Sequence, residues 1–425
     1  MKVIYFHQYF STPRGAVGTR SYEMARRLVE RGHQATIVCG SVGGGETGLS
    51  SPFVNGRRRG AVDGIDVIEF DLSYSNADRF QKRTVTFLKF ALRSVGVALS
   101  EPYDVVVTTT TPLTAGIPGI FARWLRGKPF VFEVRDMWPE LPHAMGVIRN
   151  PLVLWAMGVL EWVSYRSAHR RIGLSPGIVD GIARLGVPRD TIAFVPNGCD
   201  LVIFGGKVEA WRPAEIAPGD LMAAFTGTHG MANGLDAVLD AAAELKRRRR
   251  DDIKILLIGR GQLKPSLIAR AQAYGLDNVI FHDPVNKAKL AGLMAGTDIG
   301  LQILKNVPAF YYGTSPNKFF DYIASGLPVL NNYPGWLAGL IEQHECGFAI
   351  PPDNPAAFAD ALEKAADDRN ALKEMGQRGR ALAEREFDRA KLADRWVDWV
   401  EGALQTRRKN GQAALAIPSE TGPVR

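Results

Sequence analysis

Residues 315–330 bring a Lys, an Asp and a helix start together in a spacing suited to a nucleotide. Ser315 suits the N-cap, Pro316 the first helical position, and Gly326 with Pro328 the stop, after which residues 328–330 read as a short apolar strand. Asn317, Lys318 and Asp321 lie three or four positions apart on one face, with Phe320, Ile323 and Ala324 on the other. A helix start offers unpaired N–H groups and partial positive charge, which favour a phosphate. Lys318 adds a full charge, and Asp321, one turn deeper, can accept hydrogen bonds from ribose hydroxyls. A sugar nucleotide would satisfy both. The plainer alternative is a capped helix whose wet face binds nothing.

Three other segments carry candidate chemistry. Arg14 to Arg20 joins a first strand to its helix, and Gly15 and Gly18 there let backbone N–H groups approach a phosphate. The spacing is G-x-x-G, neither the dinucleotide G-x-G-x-x-G nor a Walker loop, which argues against nicotinamide and ATP. Thr226 to Gly230 and Gly259 to Gly261 are glycine-lined strand ends that admit a base or a diphosphate, or simply turn the chain; Thr228, His229 and Arg260 are their candidate ligands. His229 either donates to a phosphate or is an ordinary surface-loop histidine. Glu133 to Glu140 ends another strand, and Asp136 and Glu140 are candidates for acid/base or cation-stabilising work, the alternative being a salt bridge from Arg135 that holds a turn. No D-x-D pair occurs, so no clamped divalent cation is implied. Diphosphate charge then falls to Lys318, helix starts and His229.

These loops need a scaffold of alternating strands and helices, and the periodicity supplies one. Strands are expected at residues 2–7, 35–39, 65–70, 105–109, 130–134, 171–174 and 192–195, with helices at 19–31, 79–98, 115–126, 151–168 and 176–183 between most of them. Residues 40–64 read as a long Gly-rich loop. The pattern restarts after an aperiodic linker, and residues 221–225, 253–258, 279–282, 299–304, 328–331 and 348–350 read as strands separated by helices. The expected fold is α/β: two Rossmann-like, doubly wound domains facing a cleft, with ligands at the carboxyl ends of the strands. Expected boundaries are an acceptor-binding domain over 1–200, a linker over 201–220, a nucleotide-sugar domain over 221–385, a helix over 386–404 returning to the first domain, and a disordered tail over 405–425.

A chain of 425 residues suits two such domains, and 46% hydrophobic with 23% charged residues is globular. Cys39, Cys199 and Cys346 are far apart and no H-E-x-x-H occurs, so a reducing compartment and no zinc site are expected. The apolar run from Val3 breaks at His7 and reads as a strand rather than a leader. Residues 152–160 are half the length a bilayer crossing needs. A net charge of +8 points to anionic partners. The basic runs at 57–59 and 246–250 lack any nucleic-acid motif and are assigned to a loop and a helix end. The helix at 79–98 puts Lys82, Lys89 and Arg93 on one side and Phe80, Phe87, Leu88, Ala91 and Val95 on the other, and Trp155 and Trp162 lie seven apart in a helix followed by basic residues. Such helices either lie on an anionic membrane or pack into the core.

The segments His7 to Phe10 with Gly15 and Gly18, Arg135 to Glu140, Val195 to Gly198, and Ser315 to Lys318 running on to Pro328 together resemble the retaining GT-B glycosyltransferases of glycosyltransferase family 4, in particular the WbuB-type bacterial polysaccharide aminosugar transferases. The resemblance covers residues 1–404 and implies a UDP-sugar donor held mainly by the second domain, no cofactor, and a lipid-linked or saccharide acceptor on the first. It places Asp321 at the second acid of the family's E-x7-E element, which holds the ribose, and Gly313 where the first acid stands. His229 and Asn233 stand near the family's usual Arg and Lys. Asp136 falls near the reacting sugar. A cytoplasmic enzyme, peripheral on the inner face of the cell membrane, is the implied setting. A sugar-nucleotide 2-epimerase of the same fold and a noncatalytic UDP-binding module remain as alternatives.

Overall fold

The computed structural model describes residues 1–15, 17–74, 80–206 and 208–415, with backbone alone at Phe80 and over 406–415. The first half builds an eight-stranded sheet from β1 (Lys2–Phe6), β2 (Gln34–Val42), β3 (Arg57–Val62), β4 (Ile65–Tyr74), β5 (Val105–Thr109), β6 (Phe130–Val134), β7 (Arg170–Gly173) and β8 (Ile192–Phe194). Its order is β3-β4-β2-β1-β5-β6-β7-β8, parallel throughout except for the β3–β4 pair. Its helices are α1 (Arg20–Glu30), α2 (Phe80–Ser100), α3 (Ile117–Arg126), α4 (Glu140–Ala144), α5 (Pro151–Ser167) and α6 (Pro176–Arg184). Near-continuous Val, Ile and Phe runs such as Val105–Thr109 suit strands buried on both faces.

The second half forms a six-stranded sheet from β9 (Leu221–Thr226), β10 (Ile253–Ile258), β11 (Val279–His282), β12 (Ile299–Gln302), β13 (Val329–Asn331) and β14 (Gly347–Ala349), in the order β11-β10-β9-β12-β13-β14. Every described pair in it is parallel. Around it lie α7 (Asp236–Arg247), α8 (Lys264–Ala273), α9 (Lys287–Gly296), α10 (Pro308–Tyr312), α11 (Asn317–Ala324), α12 (Trp336–Gln343), α13 (Pro355–Asp367), α14 (Arg369–Glu386) and α15 (Arg389–Leu415). Both sheets reverse direction beside their first strand, which opens a crevice at the strand ends.

Several expectations are corrected. Residues 57–62 are an antiparallel edge strand rather than loop, and two of its three arginines are spent on the neighbouring strand: Arg58 Nε donates to Glu69 at 2.9 Å and Arg59 Nη2 to Asp66 at 2.7 Å. The second basic run is paired likewise, Arg248 with Glu244, Asp360 and Glu363, and Arg250 with Asp252 and Asp367. Within the expected linker, Trp211 N donates to Gly292 O at 2.8 Å and ties the connection to α9. On α2, Ala91 is buried while Leu88, expected beside it, is exposed. The chain crosses between the two halves twice, at Cys199 and at Phe387–Arg389, where Cys199 N donates to Phe387 O at 2.7 Å and Arg389 N to Cys199 O at 3.1 Å. α15 packs on the first sheet and its backbone continues to Leu415, past the tail boundary expected at 405; residues 416–425 lie outside the described residues.

Candidate functional site

α11 differs at its start from the capped helix expected there. Pro316 occupies the N-cap, Asn317 is the first helical residue, and no side chain caps the helix. Ser315 is diverted: its Oγ accepts from Asn197 N at 3.0 Å, and its carbonyl accepts from Asn197 Nδ2 at 2.6 Å. Ser315 thus clasps the two halves together, and the first amides of α11 keep their hydrogens for something else. Asn317 is exposed, and a Cβ on Gly18 would sit 3.2 Å from its Nδ2, so the loop after β1 closes onto this helix start. Gly15 faces elsewhere, with Ser11 Oγ and Glu46 N against the space its Cβ would fill.

In the first turn, Lys318 packs its ammonium 4.2 Å from the Phe225 ring centroid and donates to Asn233 Oδ1 at 2.9 Å. Burial lowers its pKa from 10.5 to about 7, with no carboxylate beside it to offset that. The Gly227 backbone runs alongside: a Cβ there would meet Lys318 Cε at 3.4 Å. The loops after β9 and β10 interlock equally closely, since a Cβ on Gly261 would lie 2.1 Å from His229 O. That approach is open only to glycine.

His229 is not a surface histidine. It is fully buried between the rings of Phe225 and Phe281, and neither ring nitrogen has a hydrogen-bond partner among the described residues. Burial, then the charges of Lys264 and Lys318, lower its pKa to about 4. It is therefore a neutral imidazole with unspent hydrogen-bonding capacity. Thr228 and Arg260 are exposed on the same two turns; Thr228 O accepts from Asn233 Nδ2 at 2.7 Å, and Arg260 O accepts from His229 N at 2.9 Å. Burial lifts the Asp321 carboxyl to about 6 despite the opposing pull of Arg389 and Lys287.

Across the cleft, Arg135 and Asp136 directly follow β6. Asp136 accepts from Thr111 Oγ1 at 2.8 Å, and the neighbouring Arg135 Nη1 donates to His7 Nε2 at 2.9 Å. His7 Nδ1 lies 2.6 Å from Ser21 Oγ, and since Arg135 can only donate, the neutral His7 carries its hydrogen on Nδ1. Burial, then the Arg135 charge, keeps His7 well below its ordinary pKa. Arg135 therefore braces a histidine rather than a carboxylate. Glu140 stands apart from Asp136: it begins α4, pairs with Arg184 at 3.6 Å, and borders a cavity of about 1060 Å³ shared with Tyr312 and Trp336 but with none of Asp136, Lys318 or Asp321.

A buried hub not assigned from the sequence supports this side. Glu133 accepts from Arg20 (3.0 and 3.1 Å), Tyr5 (3.0 Å), Thr109 (3.0 Å) and, from α15, Trp396 Nε1 (2.9 Å). Burial pushes its pKa upward, yet the Arg20 charge and hydrogen bonds outweigh that and hold it at about 2. The readable signal was a lone carboxylate inside the apolar strand Phe130–Val134.

Two sheets of this strand order, meeting strand ends first across a cleft with glycine turns and a cationic helix start, define the GT-B architecture. Residues 15–198 match the Glycosyl transferase 4-like domain and residues 208–382 the Glycosyl transferases group 1 domain. The chain belongs to the GT-B glycosyltransferases. It is 30% identical over 230 residues to a D-inositol 3-phosphate glycosyltransferase of Nocardia farcinica, covering 52% of this chain and 48% of that protein. It is 27% identical over 176 residues to the D-rhamnosyltransferase WbpZ of Pseudomonas aeruginosa, covering 41% and 43%. The matched regions thus span less than half the length of these two relatives. Among solved structures, Anabaena Alr3699/HepE in complex with UDP shares the fold with a TM-score of 0.67 at 16% identity, over 95% of this chain and 100% of that one. WaaG, a glycosyltransferase involved in lipopolysaccharide biosynthesis, does so with 0.68 at 16% identity, over 94% and 100%. Among the described residues, no three His, Cys, Asp or Glu side chains gather as a metal site, and no helix is long and apolar enough to cross a membrane.

Proposed function

We propose that the protein is a retaining, metal-independent glycosyltransferase that moves a sugar, an N-acetylated aminosugar, from a UDP-sugar to a lipid-linked or saccharide acceptor in bacterial surface polysaccharide synthesis. The observation that carries this reading is an enclosed ammonium without a carboxylate partner, beside uncapped helix amides: Lys318 at the start of α11. A diphosphate is the anion that fits, and Asp321 one turn on suits ribose hydroxyls.

As the glycosidic bond to UDP breaks, negative charge gathers on the leaving diphosphate. The amides of α11 and Lys318 then stabilise the transition state more than the ground state. Asn233 and the Phe225 ring hold the ammonium in place, and His229 can give one neutral N–H. Asp136, fixed by Thr111, would steady the oxocarbenium-like sugar or orient the acceptor hydroxyl. Glu140, paired with Arg184 on another wall, is given no part in that step. HepE, whose structure holds UDP, and WaaG, involved in lipopolysaccharide biosynthesis, support the reading by likeness of fold. The test incubates the protein with a panel of UDP-sugars, with and without a bacterial membrane extract. UDP released only with extract supports transfer; interconversion of UDP-sugars without extract would mean an epimerase, and UDP-sugars bound but left intact would mean a noncatalytic module.

A further inference from the structure

Three neighbouring helices of the first domain each carry an apolar stripe on the side away from the core. On α2 it includes Leu88 and Leu92, four apart; on α3 Phe121 and Trp124, three apart; on α5 Trp155 and Trp162, seven apart. All six are 40–73% exposed. The inner faces of the same helices are filled separately, by residues such as Phe90, Ala122 and Tyr165. These helices are therefore apolar on two sides, which folding alone does not require.

The stripes belong to one surface because α3 is tied to both neighbours. Arg126 Nη1 donates to Ala98 O of α2 at 3.0 Å, and Trp124 Nε1 donates to Ser167 Oγ of α5 at 2.9 Å. Charge on the exposed faces of these three helices has one sign. The three helices contain seven Lys or Arg residues (Lys82, Arg83, Lys89, Arg93, Arg123, Arg126, Arg166) and a single acid, Glu161, which is buried and accepts from Tyr165 at 3.0 Å. Two of the cations lie on the exposed indoles themselves, Arg123 at 5.2 Å from the Trp124 ring and Arg166 at 5.6 Å from that of Trp162.

We infer that α2, α3 and α5 form a docking face for an anionic lipid bilayer, with the indoles at headgroup depth and the surrounding Lys and Arg against lipid phosphates. A protein partner would be met by charges of mixed sign, whereas helix faces that interleave Trp and Arg and carry no exposed acid complement a uniformly negative surface. No helix need enter the hydrocarbon, because the stripes lie flat on the fold. The assignment is independent of the chemistry in the cleft, since it is read without donor or acceptor.

The test uses the full chain and vesicles of phosphatidylethanolamine with phosphatidylglycerol, with neutral phosphatidylcholine vesicles as comparison. Co-sedimentation should favour the anionic vesicles by about tenfold or more at low salt and weaken as salt rises. Lipids brominated in the acyl chain should quench tryptophan fluorescence. Leu92→Ser with Trp155→Ser, both solvent-facing, should lower vesicle binding about tenfold or more with unchanged melting temperature and unchanged UDP affinity. Equal binding to neutral vesicles, no binding to either, or binding that ignores the double substitution would overturn the assignment. So would a concentration-dependent dimer, without vesicle binding, that the same substitutions dissolve.

Discussion

Lys318 should cost the empty protein stability, and removing its charge should reveal how much. Lowering an ammonium from 10.5 to about 7 by burial corresponds to a ceiling of about 5 kcal/mol against the charged form. Part of the side chain still reaches water, and Lys318→Met also gives up the Asn233 hydrogen bond and the Phe225 contact, so the realised gain should be roughly 1–2 kcal/mol. At about 2–4 °C per kcal/mol, the methionine variant without nucleotide should melt roughly 3–6 °C higher at pH 6. The sign follows from proton counts: between about pH 7 and 10.5 the unfolded chain holds a proton on Lys318 that the folded one lacks, so wild-type stability rises with pH across that window. The advantage of the variant is therefore full below pH 7 and should shrink to less than about half by pH 9. UDP affinity should fall at least about thirtyfold, because a diphosphate loses the ammonium placed at the start of α11. Differential scanning fluorimetry at pH 6 and 9 with calorimetric UDP titration reads both effects. A variant no more stable than wild type at pH 6, or one that binds UDP normally, would refute the reasoning.

Asp321→Asn should weaken UDP binding about tenfold, and wild-type affinity should decline as the pH falls through about 6, where the Asp321 carboxyl takes up a proton and stops accepting from ribose; isothermal calorimetry from pH 5 to 8 checks both. Ser315→Ala should cost about 1 kcal/mol in urea denaturation and change UDP affinity less than about threefold, since its hydroxyl is engaged by Asn197; a large loss of affinity would restore it as a phosphate ligand. Asp136→Asn should cut turnover about a hundredfold or more while leaving UDP affinity intact, measured by steady-state kinetics once a donor is known. Glu133→Gln should destabilise the fold by about 3–5 kcal/mol, because it leaves Arg20 buried without its carboxylate; an unaltered melting temperature would show that the hub is dispensable.

Strand and helix alternation was legible because parallel strands buried on both faces read as Val-, Ile- and Phe-rich runs, and because Gly and Pro mark their ends; β5 and β6 were located to the residue. Residues 57–62 escaped because an edge strand that opens with three consecutive arginines looks solvated until Glu69 and Asp66 are seen opposite. The short helices α4 and α10 hold too few residues for a period to show. In the site, the lysine and aspartate of α11 stood out by local spacing, whereas the duty of Ser315 depends on Asn197, 118 positions away, and the burial of His229 depends on Phe281. Local pattern cannot report such distant partners.

The reach of α15 back to Glu133 bears on how proteins of this shape can be recombined. Trp396, Val397, Val400 and Ala403 complete the interior of the opening sheet although Trp396 stands 263 positions from Glu133 in the chain. A fragment ending near residue 198 would leave that apolar floor bare and the carboxylate one donor short. Chimeras that exchange donor-binding halves between relatives should therefore keep the last helix from the same parent as the first sheet, so that the transplanted unit is an insert rather than a tail.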